Sequence, residues 1–207
     1  MNLGKAVIYI VEDDASFRKS VERLVRASGF VAASFESADS FLAQPCIQRP
    51  ACLLLDVQLP GIDGLDLQQK LIDRGSSLPI IFMTGHGSIP MSVQAMKKGA
   101  MDFLPKPFEA QDLRSAILKA LERDVQNGEK ELEVSKIKTL LDALTPRENE
   151  VLRWIITGSL NKQIAHALGT TEKTIKVHRS RVMQKTGVTS VAELVRLAEK
   201  ANILPAD

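Results

Sequence analysis

Cysteine is scarce in this chain. There are two in 207 residues, Cys46 and Cys52, six positions apart and without the CxxC spacing of a zinc site. A disulfide framework is therefore excluded, and both read as reduced, structurally neutral residues. Long apolar runs are also missing. No stretch approaches the roughly 18 residues of a membrane span, and the first residues, MNLGKAVIYIVEDD, run into acids without a small-residue cleavage site. The expectation is a cytoplasmic protein with no membrane partner. A strong charge of either sign is lacking too, with a net charge of only +2.

The rest of the composition is ordinary for a soluble protein: 44% apolar, 25% charged and 4% aromatic. The length suits one large domain or two small ones. Dividing the chain after residue 125 is more telling than the total. Before it 14 bases face 15 acids, and after it 13 bases face 10 acids. Between 161 and 185 six bases, Lys162, Lys173, Lys176, Arg179, Arg181 and Lys185, face only Glu172. Such a local surplus is what phosphate backbones attract, although a solvated helix face can look the same.

The first half alternates short apolar runs with amphipathic segments. Val7 to Val11 predicts a strand closed by Glu12, Asp13 and Asp14. Val31 to Phe35, Cys52 to Asp56, Ile80 to Thr84 and Asp102 to Leu104 predict four more. Helices are expected between them, the last from Glu109 to about Arg123 with Leu113, Ile117, Leu118 and Leu121 inward. Strands alternating with helices imply a doubly wound parallel sheet, and continuously apolar strands agree with burial on both faces. In such sheets ligands bind beyond the carboxyl ends of the strands. The chemically distinctive residues fall there: Glu12 and Asp13, Asp56 in LLLDVQLPGIDG, Thr84, and Lys106.

Three carboxylates in one pocket repel and are tolerated only beside a cation, either Lys106 or a hard metal. Magnesium prefers such oxygen ligands and commonly works beside phosphate. A carboxylate can attack phosphorus to give an aspartyl phosphate, which makes Asp56 the candidate acceptor, with Thr84 and Lys106 offsetting charge on the phosphoryl oxygens.

VEDD at 11–14, LLLDVQLPGIDG at 53–64 and MTGHGSIPMSVQAMKKGAMDFLPKPF at 83–108 together resemble the receiver domain of two-component response regulators, in wording close to the FixJ-type group. That resemblance implies a flavodoxin-like five-stranded fold and a Mg2+ ion held by Asp13, Asp56 and the Gln58 carbonyl, with Glu12 assisting. It also implies phosphate on Asp56 contacted by Thr84 and Lys106, and a rotamer switch at Phe103. Glu12 departs from the family's commoner aspartate. Lys106–Pro107 is a candidate cis bond. Gln58 and His86 each follow a site residue by two and are expected to border the acceptor.

Residues 124–143 are charged and predict a helical linker, one that can continue the fifth helix, between a receiver at 1–123 and a second domain at 144–207, with a flexible tether as the alternative. Leu132, Ile137, Leu140, Leu141 and Leu144 are candidates for a packing stripe. TPRENEVL predicts a helix capped by Thr145. A second helix is expected from Asn161, as its cap, to Leu168, a third from Thr171 to about Lys185, and a fourth from Ser190 to Ala201. Ala165, Gly169 and Ile175 have helix-turn-helix spacing. Ile175, His178 and Val182 should face inward, leaving Lys173, Lys176, Val177, Ser180 and Arg181 outward. Neither His178 nor His166 has a second ligand at helical spacing, so neither reads as a metal ligand.

The stretch LTPRENEVL…NKQIAHALG…KTIKVHRS…LVRLA resembles the four-helix LuxR/NarL-type DNA-binding domain, and the whole chain resembles a FixJ/NarL-type regulator. What this implies is a recognition helix at 171–186. The candidate DNA contacts are Lys162, Lys173, Thr174, Lys176, Val177, Arg179, Ser180 and Arg181. Partners implied are a sensor histidine kinase, double-stranded promoter DNA, RNA polymerase and, on phosphorylation, a second copy paired through the fourth helix and fifth strand. A phosphatase using an aspartyl phosphate would need an acid at position 58, which is Gln. The expectation is thus no turnover of exogenous substrates. A receiver acting as a phosphate-independent scaffold is the remaining alternative.

Overall fold

The computed structural model describes residues 5–85 and 89–206. The chain divides into two compact units, Met1–Gly128 and Glu129–Asp207. In the first, β1 (Val7–Val11), β2 (Val31–Phe35), β3 (Ala51–Asp56), β4 (Ile80–Thr84) and β5 (Asp102–Pro105) pair in parallel in the order β2-β1-β3-β4-β5. The chain steps outward from β1 to β2 and then returns across β1 to β3. That reversal opens a crevice at the carboxyl ends of β1 and β3, the place where such sheets take ligands.

Helices cover both faces. Ile8, Ile10, Leu54, Ile81 and Met83 point to the side held by α1 (Ala15–Ala27) and the first part of α5 (Ala110–Asp142), where Val21, Val25, Ile117 and Leu121 pack. Their neighbours Val7, Tyr9, Val11, Leu53, Leu55 and Phe82 pack on the other side with α2 (Ala38–Leu42) and α3 (Gly64–Asp73), through Phe41, Leu67 and Leu71. On this side α4 (Ile89–Lys97) adds Ala95. Both alternating sets are apolar, which is why β1, β3 and β4 read as unbroken hydrophobic runs.

The second unit holds α6 (Pro146–Ile155), α7 (Asn161–Ala167), α8 (Glu172–Thr186) and α9 (Val191–Lys200) around Val151, Leu152, Ile155, Ile164, Ile175, Val182 and Leu194. Thr145 and Glu148 form a reciprocal cap at the start of α6, with Pro146 at its first position. Asn161 is not the cap of α7, as the sequence suggested. Leu160 stands at that position, its N–H donates to Gln163 Oε1 at 2.7 Å, and Asn161 instead accepts from Arg179 at 3.3 Å.

The fifth helix does not stop near Arg123. It runs on through the expected helical linker as one element, α5, from Ala110 to Asp142. Asp124 is 1% exposed, accepting from the Arg49 guanidinium and from the Ala51 N–H at 3.0 Å. Of the leucine stripe, Ile137, Leu141 and Leu144 are buried in the second unit's core, while Leu132 and Leu140 face solvent.

Candidate functional site

Four strand ends supply the side chains of the crevice. Glu12 and Asp13 follow β1, Asp56 closes β3, Thr84 closes β4, and Lys106 follows β5. Carboxylate oxygens of Glu12, Asp13 and Asp56 lie within 4.8 Å of one another, a cluster that could hold a metal ion. Glu12 and Asp56 are buried and Asp13 is exposed, so the cluster has one wet side. Hard cations that keep part of their water shell suit that arrangement.

Lys106 ties the crevice together. Its Nζ donates to Glu12 Oε2 at 2.6 Å and to Asp56 Oδ2 at 2.9 Å, and it lies 4.3 Å from the centre of the Phe17 ring. Phe108 stacks edge-on against Phe17 at 5.8 Å, backing the ring on which the ammonium rests. The Lys106–Pro107 peptide is cis, and the Lys106 N–H donates to the Thr84 carbonyl at 2.7 Å. Burial pushes the Glu12 carboxyl up from 4.5 to about 6. The Lys106 hydrogen bond opposes that rise, and the charge of Asp56 adds to it.

The backbone around the acceptor candidate is close-packed. A Cβ on Gly64 would fall 2.3 Å from the Asp56 carbonyl oxygen, so only glycine lets α3 start this near the end of β3. Asp56 Oδ1 accepts from the Gln58 N–H at 3.2 Å, with the Gln58 side chain exposed. Arg18, in the first turn of α1, donates to the carbonyls of Glu12 at 2.6 Å and Asp13 at 3.0 Å, pinning the loop that carries both acids. Thr84 is buried, and Phe103 lies half-buried on the edge strand against Phe82, with ring centres 6.1 Å apart. His86 lies outside the described residues. Burial pushes the Cys52 thiol far up, and the charge of Asp124 adds to this, so Cys52 stays protonated and inert.

Sequence reasoning missed Phe17, Phe108 and Arg18 as supports. An Arg four residues beyond the last of three successive acids was the available signal for Arg18. Nothing in the spacing connects Phe17 with Phe108, since their meeting is a tertiary event.

In the second unit, α8 buries Ile175 and Val182 and presents Lys173, Lys176, Val177, Ser180 and Arg181 to solvent, with Lys162 exposed on α7. Thr174 and Arg179 are half-buried. Thr174 joins the helix cap, its N–H donating to Thr171 Oγ1 at 3.2 Å, and Arg179 donates to Asn161. His178 is half-buried with a buried Nδ1 that has no hydrogen-bond partner among the described residues, and His166 is exposed.

A doubly wound sheet with an acid cluster and a lysine at its carboxyl edge, followed by a helical unit displaying a basic helix, is the arrangement of a signalling receiver joined to a DNA-binding module. Comparison with known proteins agrees. Residues 8–118 match the response regulator receiver domain, and residues 142–198 match the bacterial regulatory proteins of the luxR family. Nodulation protein W of Bradyrhizobium diazoefficiens is 45% identical over 96% of this chain and 88% of its own length. The transcriptional regulatory protein FixJ of the same organism is 39% identical, over 97% and 98%. Among solved structures, the response regulator StyR superposes with a TM-score of 0.76 at 43% identity, covering 95% of this chain and 99% of that one. The chain belongs to the response regulators that pair a receiver with a luxR-type DNA-binding domain, and it is a transcriptional regulator of the two-component kind.

Proposed function

We propose that Asp56 is the phosphoacceptor and that its phosphorylation by a sensor histidine kinase controls promoter binding by the second unit. The observation that carries this reading is the convergence on Asp56 of Lys106 Nζ, at 2.9 Å, and two further carboxylates at the carboxyl edge of the sheet. In this reading an Asp56 carboxylate oxygen attacks the phosphorus of a phosphohistidine, the P–N bond breaks, and the imidazole leaves. Asp13, Asp56 and the Gln58 carbonyl would hold Mg2+, with Glu12 assisting. When bound, the ion supplies positive charge to the phosphoryl oxygens as charge builds in the transition state.

Lys106 exchanges its Asp56 contact for a phosphoryl oxygen, and the Thr84 hydroxyl donates to another. Movement of Thr84 makes room for Phe103, which is the switch. Val93 and Met96, both exposed on α4, supply apolar surface for pairing of two phosphorylated copies through α4 and β5. Pairing raises the effective concentration of the second DNA-binding domain at a two-half-site promoter. There Lys173, Thr174, Lys176, Val177, Ser180 and Arg181 meet base edges and nearby phosphates, while Lys162 and Arg179 meet the backbone.

We take residues 1–123 as the receiver, 124–143 as a helical linker and 144–207 as the DNA-binding domain. No helix among the described residues is long and apolar enough to cross a membrane, and a promoter-binding regulator works in the cytoplasm, where RNA polymerase is its further candidate partner. Turnover is confined to acceptance and loss of the protein's own phosphoryl group. The test is labelling with acetyl phosphate and Mg2+. One phosphoryl group is expected on the wild type and none on Asp56→Asn, while labelling that persists at another residue refutes the assignment.

A further inference from the structure

At the opposite end of the sheet, the amino ends of β4 and β5 open into a cleft of about 480 Å³, within the size range of small-molecule sites. We propose that this cleft binds a small amphipathic anion, an apolar body carrying one carboxylate and a hydrogen-bond donor. The reading is independent of the chemistry at Asp56.

The lining carries three chemical features. Leu71, Leu78, Pro79, Ile80 and Ala100 form an apolar floor between α3, the start of β4 and the approach to β5. Lys98 and Arg123 stand at the rim, and among the described residues no acid lines the cleft. Among the described residues neither base meets a carboxylate within ion-pair distance, so their charge remains for a ligand.

The third feature is Gln68, 1% exposed on α3. Its Nε2 donates to the carbonyls of Ala95 at 3.2 Å and Lys98 at 3.5 Å, which fixes the orientation of the amide. Its Oε1 is then buried with no hydrogen-bond partner among the described residues. A buried acceptor left unmet is costly, and such atoms ordinarily mark a missing donor. A ligand hydroxyl or amide N–H reaching beneath the rim supplies one.

Competing sources of charge at this end are already satisfied. The last carbonyls of α3 accept from Gly75 at 2.8 Å and Ser76 at 2.9 Å. Those of α4 accept from Gly99 and Ala100, both at 3.0 Å. The net character of the mouth is thus set by Lys98 and Arg123. A neutral apolar ligand would leave both bases unanswered, and a cation would be repelled.

The test uses full-length 15N-labelled protein and three probes: 3-(4-hydroxyphenyl)propionate, 3-phenylpropionate and 3-(4-hydroxyphenyl)propanol. The hydroxylated acid is expected to give saturable shifts of the Gln68 side-chain amide and of the Lys98, Ala100 and Asn127 backbone signals, and to bind more tightly than either analogue. Lys98→Gln with Arg123→Gln should weaken the acid about tenfold or more and leave the alcohol unchanged. Gln68→Met should erase the preference for the hydroxylated acid over 3-phenylpropionate. No saturable shift up to about 10 mM, or acid binding indifferent to the double substitution, overturns the proposal.

Discussion

Among the described residues Lys106 is the one cation that bridges two buried carboxylates, and this sets what each of the three residues can do. Glu12 and Asp56 share its ammonium at 2.6 Å and 2.9 Å, and removing it leaves like charges in a half-closed crevice. Breaking a buried ion pair by deleting one partner costs about 3–5 kcal/mol. Lys106→Gln should therefore lower unfolding free energy by about that amount in EDTA, and added Mg2+ should restore much of it by taking over the charge. Urea titrations with and without Mg2+ measure both, and a variant as stable as wild type in EDTA would contradict the shared-cation account.

At this scale the sequence was most legible where chemistry sat at a strand end. Asp56, Thr84 and Lys106 were recognisable because each ends or follows an apolar run. Asp124 was not, since a buried acid in a charged segment looks like its exposed neighbours until Arg49, 75 residues away in the chain, comes to meet it.

Among the elements, α6 has an anchored start. Glu148 is 2% exposed and accepts from the Thr145 N–H at 2.9 Å and from Lys185 Nζ at 2.7 Å, and Lys185 also donates to the Ala143 carbonyl at 3.0 Å. The Lys185 hydrogen bond, aided by Thr145, holds the Glu148 carboxyl down from 4.5 to about 2. A depressed folded-state value means the unfolded chain binds the extra proton. The stabilisation is therefore complete above about 4.5 and is lost as pH falls toward 2. Glu148→Gln should lower stability at neutral pH by about 1–3 kcal/mol and flatten the acid limb of the stability curve, read from denaturant midpoints across that window. An unchanged acid limb would show that Glu148 does not govern it.

The cap itself was readable from TPRE. Its third member, Lys185, had been assigned only to the basic surplus of the third helix. The cap at Asn161 was misread for a related reason: an Asn at a helix start is a common cap, but here Arg179 holds its side chain and Gln163 serves the free N–H. That α5 stays helical past Arg123 was legible in the Glu, Lys and Leu of the linker, but its packing was not. Its early apolar positions belong to the first unit's core and Ile137 and Leu141 to the second's, so no single stripe runs along it.

For the whole molecule, the proposal links a site in one unit to a surface in the other. The doubly wound parallel sheet and the acid cluster followed from alternation and from carboxylates at strand ends, and the flavodoxin-like topology from the family resemblance. The edge-on aromatic support of Lys106 and the cleft around Gln68 did not, because both depend on side chains brought together from distant segments. The exposed side of α8 gives a prediction of its own. Lys176→Ala with Arg181→Ala should weaken DNA binding and alter the preference among sites, and an equal loss on every sequence would assign both residues to phosphates.

The central claim is that chemistry at Asp56 decides when α8 reaches DNA. The most direct measurement is the affinity of the full-length protein for a two-half-site duplex selected from random sequence, at fixed salt, before and after treatment with acetyl phosphate and Mg2+. The account predicts a gain of about tenfold or more for the wild type and none for Asp56→Asn. Equal affinity in both states, or a gain that survives the Asn substitution, would contradict it.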